Sequence, residues 1–186
     1  MILIVSTSSS AASIVWVQEG QILYEDSREA ARSSSQAIIE MVEESGFQLC
    51  QASGFVADLG PGSLTGVKVG VTLTKTWGFA LNVKVAGISA FDLVSTTETV
   101  IVSARRGEYF VRLAGQAPLV MNADELSSAD LSYDPNRKAA PLASRGAALV
   151  ESLDWIAPES LVPLYLSAPL VSIAKKPLTL LEPKTS

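Results

Sequence analysis

The amino-acid sequence predicts an α/β fold arranged around a mixed β-sheet. Three short runs rich in β-branched and aromatic residues begin the chain, at 2–6, 13–18 and 22–26, and this composition is typical of strands. Helical and extended patterns then alternate in the order βββαβα, followed by a further strand-led unit. Hydrophobic residues make up 48% of the chain and charged residues only 18%, so a packed core is expected.

The first half continues from these strands, whose short turns indicate an antiparallel meander. Residues 33–45 then change to a helical period, with apolar positions on one side: Ile38, Ile39, Met41 and Val42. Gly46 is expected to end that helix. A short strand at 54–57 leads into the turn Gly60-Pro61-Gly62-Ser63, and the Ser63 hydroxyl is expected to cap a helix running to Leu81. A further strand is predicted at 83–88.

The second half carries weaker signals. We expect a short helix at 91–94, strands at 99–102 and 109–113 with a turn at 105–107 between them, and a helix at 143–152. Residues 122–139 are mixed and polar and predict no regular element. Four prolines from Pro163 onward indicate an end that is either extended and packed along the body or partly loose. The predicted division is a first lobe at 1–97 and a reduced second lobe with its tail at 98–186.

Composition excludes several kinds of site. The chain contains no histidine and a single cysteine, Cys50, which removes His-based catalytic triads, His-ligated metals and internal disulfides. We therefore expect no metal site. The net charge of −5 disfavours direct tRNA binding, because phosphate contacts require clustered positive charge. Neither a signal peptide nor a membrane span is indicated, since Lys68 and Lys75 interrupt the longest apolar stretch. A cytoplasmic protein is expected.

The glycine-rich segment 58–70 fits neither common phosphate-binding motif. Val67 separates Gly66 from Lys68, so it is not a P-loop, and Thr65 takes the third glycine position of a dinucleotide fingerprint. Gly66, Gly70, Thr74 and Gly78 instead recur every four residues along one helix ridge. Such a ridge allows close approach of another element. Two interpretations remain open: packing inside the chain, or contact with a partner, for which a Gly70→Leu chain is expected to stay folded but lose the partner.

Three segments resemble the TsaB (YeaZ) family. They are the glycine signature Gly60-Pro-Gly-Ser-Leu-Thr-Gly-Val-Lys-Val-Gly70, the segment Ser103-Ala-Arg-Arg-Gly-Glu-Tyr-Phe110, and Pro163-Leu-Tyr-Leu-Ser-Ala-Pro-Leu-Val171. The resemblance holds in order and spacing from Ile2 to about Lys176. It implies a degenerate actin-like ATPase fold (ASKHA, ribonuclease-H-like) with a reduced second lobe.

The resemblance also implies a function. The chain is expected to be a non-catalytic scaffold that dimerises with TsaD, the catalytic subunit in threonylcarbamoyladenosine modification of tRNA. It binds no cofactor alone, whereas the complex uses ATP; a TsaE-like ATPase docks on the pair, and the chain self-associates through its first two helices. Those helices supply the expected interface, namely Ser35, Ile38, Ile39, Val42, Gly66, Val69, Gly70, Leu73, Thr74 and Trp77. Arg105 and Arg106 are either solvated or in contact with tRNA or phosphate.

The sequence departs from the family pattern at three positions. Ser6 stands where the family has an acid on its first strand, the histidine that often opens the first helix is replaced by Ser34, and Ser103 replaces an Asp. Serine offers no charge to a hard cation, so nucleotide binding by this subunit is disfavoured. Asp58 is expected to be structural or a cap, and 7–10 a plain turn. The alternatives are an actin-like small-molecule kinase or ATPase and a free-standing homodimer.

Overall fold

The computed structural model describes residues 1–30, 32–104, 107–129, 131 and 140–166. Its larger sheet has five strands in the order β3-β2-β1-β4-β5. The first three strands form the predicted antiparallel meander, and β4 and β5 are added parallel to β1. The strands are β1 (Ile2–Ser6), β2 (Ala11–Gln18), β3 (Gln21–Glu29), β4 (Gly54–Asp58) and β5 (Lys84–Ile88).

Two helices cover one face of this sheet. Helix α1 (Ser34–Glu44) connects β3 to β4, and α2 (Leu64–Leu81) connects β4 to β5. Both belong to one apolar core with Leu3, Val5 and Phe55. The opposite face, which includes Ile4 and Val56, is covered by a 3-10 segment, Ala143–Ser152. The sheet is therefore buried on both sides, and its central strands are apolar without alternation.

Helix α1 forms as the spacing predicted. Its buried positions are Ala37, Ile38, Met41 and Val42, and the left-handed Gly46, with φ +74°, follows its last turn. The guanidinium of Arg28 on β3 pairs with Asp26 and with Glu44 on α1. These carboxylates raise the pKa of Arg28 above its usual range through hydrogen bonds, although solvent screening leaves an exposed pair of this kind with little effect on stability.

Helix α2 begins and ends as its sequence requires. The Ser63 hydroxyl accepts a hydrogen bond from Gly66 N at 3.3 Å, and Asn82 ends the helix in the left-handed region with φ 54°. The glycine ridge faces the sheet. A Cβ on Gly66 would overlap the Thr7 carbonyl oxygen, and one on Gly70 would lie 2.5 Å from Thr7 Oγ1. Close packing against β1 and the turn after it is therefore the reason for these glycines.

This packing answers the question that the spacing left open. Gly66, Gly70 and Thr74 are buried inside the chain, so they offer no surface to a partner, and the interpretation of the ridge as an interface is wrong. For a Gly70→Leu chain the same packing favours loss of folding over loss of a partner, because a Cβ at this position would lie only 2.5 Å from Thr7 Oγ1.

The second lobe is a three-stranded antiparallel sheet, β6 (Val100–Ser103), β7 (Glu108–Arg112) and β8 (Leu119–Asn122). Helix α3 (Ala123–Ser128) follows β8 directly, and Asn122 and Glu125 form a capping box at its start. The mixed composition of 122–139 hid this helix. Arg112 on β7 pairs with Asp92 and lies over the Phe91 ring, which ties the small sheet to the loop after β5.

Two predicted helices take other forms. Residues 91–94 form successive turns, in which Asp92 N bonds to Ser89 O and Val94 N to Phe91 O. Residues 143–152 form a 3-10 helix, in which Gly146 packs directly on Ile4 and Ile88. The described part of the chain contains no helix that is both long and apolar enough to cross a membrane.

The described C-terminal residues return to the first lobe. Ile156 pairs with Val85 and covers the free edge of β5, and Lys75 Nζ donates to the carbonyls of Glu159 and Leu161. Leu164 N then bonds to Leu59 O at 2.8 Å. The expected extended end packed along the body thus holds up to residue 166, and 167–186 lie outside the described residues. The lobe division at 97/98 stays a prediction. Residues from 143 to 164, which the division assigns to the second lobe, pack against the first lobe.

Gly66→Ala is predicted to destabilise the fold. The added methyl group must displace the Thr7 backbone, and overpacking of this kind typically costs about 1–3 kcal/mol, which exceeds the gain of about 1 kcal/mol in helix propensity. Urea unfolding measures the change. Thr72→Ala, on the exposed side of the same helix, is the control and should stay within about 0.5 kcal/mol of the parent. Equal stability of Gly66→Ala and parent would contradict the packing described.

Candidate functional site

Two turns meet at the carboxyl ends of β1 and β4, the position where open α/β sheets commonly bind ligands. Ser63 N donates to Ser8 O at 2.6 Å, and the buried Thr7 hydroxyl donates to Gly66 O at 2.8 Å. A Cβ on Gly62 would overlap Ser8 O. We call this arrangement the closed turn pair, residues 7–10 and 60–63. Its two backbones are in direct contact.

Asp58 lies beneath the closed turn pair and is fully buried. Its carboxylate accepts hydrogen bonds from Ser6 Oγ at 2.7 Å and from Gly60 N at 2.8 Å. Burial raises the pKa of the Asp58 carboxyl above its ordinary value, because desolvation disfavours the charged form more than these hydrogen bonds favour it. The bond to Gly60 holds the left-handed Gly60 (φ +85°) at the start of the turn, so Asp58 has the structural role expected of it.

Ser6 and Asp58 together account for one departure from the family pattern. The acid expected on the first strand is absent at Ser6, but a carboxylate reaches the same end of the sheet from β4, 2.7 Å from the Ser6 hydroxyl. Among the described residues, no cluster of three or more acidic or cysteine side chains is placed to hold a metal ion. A single enclosed carboxylate cannot by itself coordinate a hard cation with the six or more oxygens that such ions require.

The second candidate region is the outer surface of α1 and α2. Ser35 is exposed, and Ile39 is 46% exposed to solvent. Val69, Leu73 and Trp77 on α2 are half-buried. We call these five residues the helical face. Trp77 also packs against the Phe55 ring, with centroids 5.6 Å apart, so it anchors α2 to the core as well.

Two other predicted interface residues are core residues. Ile38 has no exposed surface and Val42 has 7%; both lie between α1 and the sheet. Their assignment to a partner surface is therefore wrong, since helical spacing alone does not say which part of an apolar stripe faces outward. Arg105 and Arg106 lie outside the described residues, and their assignment stays a prediction.

One exposed residue was missed. The Phe79 side chain is 80% exposed near the end of α2, although its spacing from Val67 and Val71 groups it with buried positions. A position directly after a ridge glycine does not explain this exposure, because Val67 and Val71 also follow ridge glycines and are buried. Spacing along α2 therefore could not separate Phe79 from those two positions.

The fold and these turns define a class. The fold is a degenerate form of the actin-like, ribonuclease-H-like fold. Its elements are three antiparallel strands, two parallel strands, helices on one face, and the closed turn pair at the carboxyl ends of β1 and β4. The sequence profile of the family described as "TsaD: tRNA N6-adenosine threonylcarbamoyltransferase" matches residues 21–128, more than half of the chain. The chain therefore belongs to this family.

Individual relatives share parts of this sequence. An uncharacterised protein of Mycobacterium leprae is 30% identical over 142 residues, which are 65% of this chain but only 40% of the relative. The Bacillus subtilis "tRNA threonylcarbamoyladenosine biosynthesis protein TsaB" is 34% identical over 68 residues, covering 33% of this chain and 30% of that protein. The chain thus spans well under two thirds of these relatives.

A solved structure shows the same fold. YeaZ from Pseudomonas aeruginosa superposes with a TM-score of 0.71, covering 89% of this chain and 99% of that one, at 18% identity. The fold is thus preserved although few residues are shared, as expected where core patterning rather than individual side chains is maintained.

Thr7→Val is predicted to weaken the closed turn pair. Valine keeps the shape of threonine but removes the donor to Gly66 O, and losing a buried hydrogen bond costs about 1–3 kcal/mol. Urea unfolding of the variant measures this loss. Ser10→Ala, in the same turn but partly exposed, is the control and should change stability by less than about 0.5 kcal/mol. If both variants match the parent, the turn pair contributes nothing to stability.

Proposed function

We propose that this chain is a non-catalytic scaffold subunit that dimerises with a TsaD-like catalytic subunit in threonylcarbamoyladenosine modification of tRNA, next to the anticodon. One observation carries the proposal. The end of the sheet where relatives with this fold would do chemistry is closed by backbone contact between two turns, whereas the helices beside it expose apolar side chains.

The closed end supports a role without catalysis. A general base or metal ligand must reach its substrate, but the Asp58 carboxylate has no exposed surface and is already engaged by Ser6 and Gly60. Ser6 itself donates to Asp58 and carries no charge. Cofactor binding by this subunit alone is accordingly not part of the proposal; ATP is used by the complex, to which a TsaE-like ATPase also contributes.

The helical face supports a protein partner. Ile39 is nearly half exposed on α1, and Val69 and Leu73 are half-buried on the adjacent α2. Apolar side chains that remain partly exposed on two neighbouring helices are typical of the centre of an interface, around which polar residues form a rim. The acidic chain, with net charge −5, would then meet tRNA only indirectly, through its partner.

The partner hypothesis predicts that Ile39→Glu disrupts the heterodimer. A charge placed at the centre of an apolar interface has no partner and must be desolvated, so we expect binding to the TsaD-like protein of the same genome to weaken at least tenfold, or about 1.4 kcal/mol. Size-exclusion chromatography with light scattering and calorimetric titration measure the loss.

Leu119→Glu is the matched control for this experiment. Leu119 is also a partly exposed aliphatic residue, at 37%, but it lies on β8 of the second lobe. It should leave the heterodimer intact. Equal weakening by both variants would show a general loss of folding, and no weakening by Ile39→Glu would place the interface elsewhere. A parent chain that forms only a homodimer would favour the free-standing alternative, which uses the same helices.

The enzyme alternative makes the opposite prediction. If the chain were an actin-like kinase or ATPase, purified protein would hydrolyse ATP, and Asp58→Asn would abolish the reaction because Asp58 is the acid at the end of the parallel strands. We expect no turnover above a buffer blank in a coupled assay for ADP. Turnover that depends on Asp58 would overturn the scaffold proposal.

A further inference from the structure

The hydroxyl of Ser6 faces two buried acceptors but has one hydrogen to donate. Its Oγ lies 2.7 Å from Asp58 Oδ2 and 3.2 Å from the carbonyl oxygen of Pro141. Ser6 and Asp58 have no exposed surface, and Pro141 is buried. If Asp58 is ionised, the hydrogen goes to the carboxylate and the Pro141 carbonyl loses this donor, which costs free energy in a buried site.

A proton on Asp58 removes the conflict. The Asp58 hydroxyl then donates to Ser6 Oγ, and Ser6 donates in turn to Pro141 O, so that every member of the chain is used. We propose that Asp58 is a neutral carboxylic acid in the folded protein and that its proton closes a hydrogen-bonded clasp between the first sheet and the segment 141–152. The inference does not depend on the proposed scaffold function.

The clasp joins two parts that are distant in sequence. Beside it, Ala143 N donates to Ser13 Oγ on β2 at 3.0 Å, and Gly146 then packs on Ile4 and Ile88. The segment is thus attached to the sheet by two serine hydroxyls, of which only Ser6 contacts a titratable group. Loss of the Asp58 proton should weaken one attachment and leave the Ser13 attachment unchanged.

The surroundings of Asp58 favour the neutral form. Its hydrogen-bonding neighbours come from β1 (Ser6), from the turn after β1 (Ser8) and from the turn after β4 (Gly60), and none of them is charged. Their hydrogen bonds favour the ionised form, but the loss of hydration on burial outweighs them. The described ion-paired cations, Arg28 and Arg112, are each bound to other acids. Burial raises the pKa of Asp58, in agreement with the geometry.

The direction of the pH effect follows from linkage. The folded-state pKa of Asp58 lies above the value of about 3.9 for an unfolded chain, so the folded state binds the proton more strongly. The contribution to stability is therefore fully present below the unfolded pKa and is lost as pH rises through the folded pKa. The clasp is therefore closed at pH values below the folded-state pKa of Asp58 and open at pH values above it.

The primary test titrates the wild-type carboxyl by carbon-detected NMR on protein labelled at aspartate. We expect the Asp58 resonance to titrate at higher pH than the other aspartates, and amide protection factors for residues 143–146 to fall through the same pH range. An Asp58 carboxyl that is ionised at and above the ordinary aspartate range, or protection that stays flat while Asp58 titrates, would overturn the proposal. This measurement needs no variant.

Two variants separate the clasp from simple destabilisation. Asp58→Asn keeps a neutral donor and acceptor, so protection at 143–146 should no longer depend on pH. Ser13→Ala removes the neighbouring attachment and should lower protection equally at every pH, with the Asp58 titration unchanged. If the pH dependence of amide protection is unchanged by Asp58→Asn, it belongs to another group and the proposal is wrong. Arg137→Gln and Lys138→Gln, just before Pro141 in sequence, test whether those cations shift the titration of Asp58.

Discussion

The direct contact between the backbone after β1 and the first turns of α2 is the constraint on which the rest of the molecule depends. It exists because Gly62, Gly66 and Gly70 lack side chains where Ser8 and Thr7 approach. Each glycine inside a helix costs roughly 0.8–1 kcal/mol relative to alanine. The compensation is a helix lying close enough to the sheet for Thr7 to hydrogen-bond the Gly66 carbonyl.

This close approach determines what the end of the sheet can do. With α2 pressed against β1, the turn that begins at Gly60 lies directly on Ser8, and Asp58 is enclosed beneath it. The hydrogen-bond partners of this enclosed carboxyl group are groups of the protein itself, among them Ser6 and Gly60. The same glycines that make the fold compact thus separate the buried acid from solvent.

The sequence predicted the first lobe well and the site only in part. Apolar runs and caps are local signals, so β1, α1 and the Ser63 cap were found within a few residues of their bounds. The sequence was less informative about which side of each helix faces the sheet and which side faces solvent. Helical spacing put Ile38, Ile39 and Val42 in one stripe, yet only Ile39 is exposed. The side chains that become buried depend on where the sheet packs against the helix, which is set by tertiary structure and not by local spacing. The helix α3 was hidden by polar composition, and Phe79 by its apolar neighbours.

A closed end and an exposed helical face are not independent features of this chain. Packing one side of α2 against β1 leaves the opposite side outward, and Phe79 near the end of the helix is 80% exposed. A helix held by glycines also has little freedom to shift, so a partner at its outer surface would meet a rigid support, which lowers the entropic cost of association. The small residues that bring the two turns into contact are therefore the same ones that fix the position of the exposed helical face.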